Sequence, residues 1–133
     1  MSAQFRYNIE GITPDKLVKL WHDGGWELKS ERDPERLFQA IKKSDYLIAL
    51  WDDDRLVGLC SAIDNGMVAY VSWVVIAKDF QGKGWGSSML TILKNNYLHY
   101  NIVLFTRSAT DFYVKNGFIK DDVDAMSLDR RWE

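Results

Sequence analysis

Gly82, Gly84 and Gly86 alternate within Gln81-Gly82-Lys83-Gly84-Trp85-Gly86, between a long run of strand-forming residues and a stretch with helical periodicity. Glycines at such a junction let backbone N–H groups converge on an anion without Cβ atoms blocking its approach, and the positive end of the following helix adds a favourable field. Ser87 and Ser88 can add hydroxyl donors, and Lys83 carries a cation on a flexible stem. A diphosphate suits that combination. The spacing is not the Gly-x-x-x-x-Gly-Lys-Ser/Thr of a nucleotide P-loop, and a dinucleotide-binding fingerprint belongs after the first strand of a βαβ unit, whereas here a hairpin comes first. Alternating glycines also serve ordinary turns, so the neighbouring elements have to decide.

Other reactive side chains are sparse. Cys60 is the single cysteine and falls inside an apolar run, where a small buried hydrophobe is the expected role; it excludes an intrachain disulfide and zinc sites built from several cysteines. Asp52-Asp53-Asp54 lacks the alternating spacing of a calcium loop and reads as a solvated turn, so no metal site is expected. His22 and His99 fall near the ends of helical patterns, where capping or exposure is the plainer assignment.

The elements around these residues follow from periodicity. Phe5-Arg6-Tyr7-Asn8-Ile9 alternates as a strand, and Thr13-Pro14 offers an N-cap with proline at the first helical position before Leu17, Val18 and Trp21. Gly24-Gly25 stops that helix, a loop runs through Trp26, and Asp33-Pro34 caps a second helix carrying Leu37, Phe38 and Ile41. Tyr46 to Trp51 and Leu56 to Ile63 form a hairpin about the acidic turn. After Asp64-Asn65-Gly66, Met67 to Ala77 is the longest strand candidate and is expected at the centre of the sheet. Beyond the glycine loop, Met89, Leu90, Leu93 and Tyr97 mark a helix, and Ile102 to Phe105 a short strand. Ser108 is placed to cap a helix ended by Asn116-Gly117. Phe118 is expected to start another strand, and Asp124 to Leu128 alternates weakly enough to close one sheet edge.

At 133 residues and 47% apolar content the chain suits one domain spanning residues 1–133. A net charge of −2 lacks the basic footprint of phosphate-tracking proteins, so nucleic acid is not expected as a partner. No segment reaches the roughly 18 apolar residues of a membrane span, and the first residues do not read as a leader, so no membrane partner and a cytoplasmic location are expected.

Ile76-Ala77-Lys78-Asp79-Phe80-Gln81-Gly82-Lys83-Gly84-Trp85-Gly86 resembles the acyl-CoA-binding motif of GNAT superfamily N-acetyltransferases, which usually reads Val-x-Pro-x-x-Arg/Gln-x-x-Gly-x-Gly/Ala. Gln81, Gly84 and Gly86 match, while Lys78 stands where proline is common. Downstream, Ala109-Thr110-Asp111-Phe112-Tyr113-Val114-Lys115-Asn116-Gly117-Phe118 is similar to the family's Ala-x-x-Phe-Tyr-x-x-x-Gly-Phe segment. Two motifs at the right separation, in the right order of elements, extend the resemblance over essentially the whole chain. It implies an α/β (α+β) fold with a mixed, mostly antiparallel sheet of about six to seven strands, splayed central strands and about four flanking helices.

The resemblance also implies an activity: transfer of an acetyl group from acetyl-CoA to a primary amine, small molecule or peptide, by direct attack. Backbone groups of Val74, Val75 and Ile76 would hold the pantetheine arm and thioester, and Gln81, Gly82, Lys83, Gly84, Trp85, Gly86 and Ser87 the diphosphate. Tyr113 matches the frequent general acid, since a phenol stays protonated at neutral pH; packing as a core aromatic beside Phe112 is its other reading. Thr106 stands where an asparagine often contacts the coenzyme, and its hydroxyl reaches less far than an amide. No residue is assigned as general base, although Glu27, in the loop after Trp26, is a candidate for base or substrate anchor. Trp26, Glu27 and Ser72 are candidates for the acceptor side, with packed indole and solvated serine as alternatives. A homodimer is compatible with the family pattern. The rival to catalysis is a noncatalytic acyl-CoA-binding sensor or partner module.

Overall fold

Thr13 and Asp33 start the first two helices as the sequence leads one to expect. Each side-chain oxygen accepts from the N–H three residues on, Lys16 at 3.2 Å and Arg36 at 3.0 Å, and each is followed by proline. In the computed structural model, which describes residues 3–26 and 33–131, these are α1 (Pro14–Asp23) and α2 (Pro34–Lys42). The strands are β1 (Ala3–Arg6), β2 (Tyr46–Asp52), β3 (Arg55–Asp64), β4 (Val68–Ile76) and β5 (Asn101–Val103), with α3 (Trp85–Asn96) between the last two and α4 (Thr110–Lys115) after them.

The strands lie in chain order, β1-β2-β3-β4-β5, antiparallel except for the parallel β4–β5 pair that α3 connects. Asp53 and Asp54 are the two-residue turn between β2 and β3, with Asp53 in the left-handed region at φ 51°. Asn65 makes the next turn by accepting from the N–H groups of Met67 and Val68. β1 ends at Arg6 rather than running on to Ile9, because the Asn8 side chain accepts from the Glu10 N–H and turns the chain.

One face of the sheet packs on α1, through Val75 and Trp73, and the other on α3, where Gly58, Ile76 and Met89 converge. The buried set centres on Ile48, Leu50, Val57 and Leu59, with Leu17, Leu20 and Trp21 of α1 and Met89, Leu90 and Leu93 of α3 fully enclosed.

Five strands and four α-helices are present among the described residues, so the expected six to seven strands are corrected. The difference lies in the tail. Residues 118–131 form no strand, and from residue 119 on every described residue is exposed, with Met126 at 91% and Leu128 at 82%. Asp121, Asp122 and Asp124 load that segment with like charge, and its alternation is too weak to supply a buried face. Without strands beyond β5, the centre of the sheet is β3, not β4, and β3 is also the longest strand at 10 residues. The end of the tail returns to α2, where Arg36 donates to the Arg131 carbonyl at 2.6 Å.

Candidate active site

Beyond β4 the Ala77 N–H still bonds to the Val57 carbonyl, and the chain then makes a 3₁₀ turn over Lys78–Phe80 whose buried ring, Phe80, anchors it. Gly82 (φ 73°) and Gly84 (φ 90°) both lie in the left-handed region, and a Cβ added at either would meet nothing within 4 Å. The space over the loop is therefore open, and its backbone is one that glycine adopts freely. Gly84 is the N-cap of α3 and has no side chain to cap it, so the first-turn N–H groups receive no capping bond from that position. An open cradle of uncapped donors at the positive end of a 12-residue helix fits an anion such as the diphosphate of coenzyme A.

Not every residue of the motif faces that cradle. Gln81 turns its amide back to donate to the Ile76 carbonyl at 2.8 Å. Trp85 packs edge-on against Phe5, centroids 5.8 Å apart, and so anchors α3 on the sheet. A Cβ at Gly86 would stand 3.0 Å from Phe112 Cζ, so this glycine admits α4. Lys83 is exposed, its ammonium 5.8 Å from the Phe80 ring centroid, and Ser87 sits half-buried in the first turn of α3.

β4 and β5 pair only over Val68–Tyr70 and Asn101–Val103, so among the described residues β4 has no strand partner on that side from Val71 onward. The Ala77 to Val57 bond sets which backbone groups face the gap. Since Ala77 and Val75 bond toward β3, the groups of Val74 and Ile76 turn the other way. Of the three residues expected to hold the arm, Val75 has its backbone groups directed toward β3 by this alternation. The Ile76 carbonyl is taken by Gln81, which leaves Val74 with both backbone groups turned to the gap.

Tyr113, half-buried on α4, packs edge-on between Phe112 (5.1 Å) and Phe118 (5.7 Å). Burial pushes its phenol up to about 12, with a smaller contribution from Cys60. Cys60 is the Cα partner of Val74 across β3 and β4. The thiol is itself pushed up to about 12 by burial and is no nucleophile. Thr106 does not stand free for a ligand: its hydroxyl oxygen accepts from the Ala109 N–H at 3.0 Å and leads the chain into α4, leaving its hydrogen to donate. That bond takes the place of the expected Ser108 cap; the N-cap position is Ala109.

On the opposite face, Trp21 brings Trp26 (6.2 Å) and Trp73 (6.0 Å) together in one indole cluster. Ser72 has no partner on β3, because Val71 pairs with Ala62 and Trp73 with Ser61. It is the extra residue of a β-bulge, and a bulge interrupts the strict alternation expected for Ser72 and Trp73. Glu27 lies outside the described residues. Sequence reasoning passed over Arg55 and Asp79, which pair beside the glycine loop at 2.7 Å from positions 24 residues apart. No local signal marks such a pair.

Residues 18–127 match the family described as an acetyltransferase (GNAT) domain. The chain is 34% identical over 123 residues to an uncharacterized N-acetyltransferase, ycf52, of Porphyra purpurea, covering 86% of this chain and 69% of that protein. For the ycf52 protein of Pyropia yezoensis the identity is 34%, over 80% of this chain and 64% of that one. A GNAT family acetyltransferase of Streptococcus pneumoniae shares the fold at a TM-score of 0.78 and 22% identity, covering 98% of this chain and 100% of that chain. An aminoglycoside acetyltransferase from an uncultured soil metagenomic sample does so at 0.76 and 16%, over 97% of each.

Proposed function

This chain belongs to the GNAT acetyltransferase family, and from that premise we propose that it moves an acetyl group from acetyl-CoA to a primary amine. The observation that carries the proposal is the gap beside β4, which opens at Val71 and runs toward an uncapped glycine cradle. Acetyl-CoA supplies an activated thioester whose carbonyl carbon takes the amine while the sulfur departs with its bonding pair. The cradle at Gly82 to Ser87 holds the diphosphate, with Lys83 as counter-charge. The backbone of Val74 receives the pantetheine arm as a further strand would be received. Its N–H is the donor available to the thioester oxygen, and a fixed donor there helps most as charge builds on that oxygen.

Tyr113 is the proton donor to the leaving sulfur. Burial keeps it protonated across the working range, but a phenol near 12 is a weak acid beside a thiol of about 8.5. Its contribution is therefore a hydrogen bond that strengthens as the sulfur gains charge, with the proton following late. The indoles of Trp26 and Trp73 line the acceptor side, opposite α3 and α4. No histidine or carboxylate among the described residues is assigned as base, and the amine is taken to lose its proton to water. Because the chain spans about two thirds of the curated relatives it matches, these roles are proposed for the segment in hand.

Thiol release from acetyl-CoA against a mixed panel of amines tests this reading. The expected result is amine-dependent release that collapses in Gly84→Glu, whose side chain would fill the cradle with negative charge, and slows in Tyr113→Phe. Acetyl-CoA that binds without any amine accelerating release would favour a sensor module. No binding at all would overturn the proposal.

A further inference from the structure

Arg55 opens β3 beside the 3₁₀ turn that delivers the chain into the glycine loop. Its guanidinium grips Asp79 at both oxygens, Nη1 to Oδ2 at 2.7 Å and Nη2 to Oδ1 at 2.9 Å. The same Nη2 reaches Asp23 Oδ2, at the C-terminal end of α1, at 3.3 Å. A forked, two-point pair fixes direction as well as distance, which a single ammonium contact does not. The guanidinium carbon and the Lys83 ammonium each lie 5.8 Å from the centroid of the Phe80 ring. Two cations and the Asp79 carboxylate thus crowd the last turn before the cradle, with Asp23, itself paired with Lys19 at 3.0 Å, on the far side of Arg55. Hydrogen bonds from Arg55 hold the Asp79 carboxyl below its ordinary value, and the charge of Lys83 adds a smaller pull.

We propose that Arg55 is a positioning residue for the coenzyme site: by engaging both oxygens of Asp79 it keeps that carboxylate from capturing Lys83, leaving the Lys83 ammonium to face the diphosphate. This rests on the coenzyme A reading of the cradle. Asp79 lies two residues before Gln81, so without the guanidinium an uncompensated negative charge would sit beside an anion-binding loop. A mere brace would behave differently. Removing either partner would then weaken binding alike, and removing both would restore nothing.

Calorimetric binding of coenzyme A at about 50 mM and about 300 mM salt distinguishes the two. At the lower salt Arg55→Met is expected to weaken binding on the order of three- to tenfold, with the loss shrinking at the higher salt. Asp79→Asn alone is expected to bind at least as tightly as the natural chain, since it removes the carboxylate and leaves both cations. Arg55→Met/Asp79→Asn should return to within about twofold of the natural chain. In turnover the Arg55→Met loss should fall on KM for acetyl-CoA rather than on kcat. Binding by Arg55→Met at natural affinity, or a double variant as weak as Arg55→Met, would overturn the proposal. Asp79→Asn, altered at an exposed side chain, keeps the test alive if Arg55→Met does not fold: weakened binding in that variant also overturns it. Failure of the natural chain itself to bind coenzyme A would instead remove the reading beneath it.

Discussion

Gly84 and Gly86 occupy the same motif but answer to different neighbours, and alanine at each should separate the two roles. At Gly86 an added Cβ would lie 3.0 Å from Phe112 Cζ and 3.3 Å from Cε1, whereas ordinary contact begins near 3.4 Å, so the ring edge must retreat by about 0.4 Å. Overpacking of this kind costs about 1–3 kcal/mol, or roughly 4–10 °C of Tm in a domain of this size. The displaced ring also packs on Tyr113, so the disturbance passes to the proposed proton donor. Phe112→Leu trims the obstructing edge. Gly86→Ala/Phe112→Leu should therefore be more stable than the sum of the single losses predicts, by at least about 1 kcal/mol. At Gly84 the Cβ meets nothing within 4 Å, and alanine pays only for φ 90°, roughly 1 kcal/mol. Its larger effect should be on coenzyme A affinity, because the methyl stands in the cradle. Thermal denaturation and coenzyme A titration of the four variants read both quantities. Strict additivity of Gly86→Ala with Phe112→Leu would refute the packing assignment, and natural affinity in Gly84→Ala would refute the cradle.

Tyr113→Phe is expected to lower kcat roughly a hundredfold, the low end for acid catalysis, because the phenol is poorly matched to a thiolate; a loss under threefold would reduce Tyr113 to packing. With that phenol near 12, the natural enzyme's rate should not decline at pH 10 through Tyr113, where an ordinary tyrosine is half ionised. Cys60 carries a thiol raised from 9.0 to about 12, so its folded form prefers the neutral state: its stabilisation is full below pH 9 and is lost as pH rises from 9 to 12. Urea midpoints of Cys60→Ala should accordingly fall less steeply between pH 9 and 11 than those of the natural chain, and parallel curves would contradict the assignment. Asp33→Ala removes an acceptor for the Arg36 N–H and should cost about 1 kcal/mol, near 4 °C of Tm, by thermal melt.

What the sequence disclosed was local. The caps at Thr13 and Asp33 act over three residues and the Asp53-Asp54 turn over two, so residue type alone identifies them. The family was legible in two motifs for the same reason. Relations between distant segments were not. Arg55 finds Asp79 across 24 positions, the β4–β5 pairing stops at Tyr70, and Gly86 is required by a ring on another helix. Val75 was expected at the cleft because the strand was read as a unit; the alternation of backbone bonds, set by where β3 pairs, turns its groups away. The tail misled in the other direction. Phe118 and Asp124 to Leu128 have strand-like composition, but strand formation needs a partner edge, and composition does not say whether one is within reach.

The nearest-neighbour order of the sheet also bears on how the chain comes to be folded. β1 to β4 pair by successive antiparallel contacts, except that β1 waits for β2 until both helices between them are made. β5 can join only after α3 has crossed the sheet, the sole parallel closure among the described strands. A chain emerging from the ribosome N-terminus first would complete the face that carries Trp21 and Trp73 while residues 101–103 were still to be made, so the surface proposed for the amine would precede the cleft proposed for the coenzyme in time.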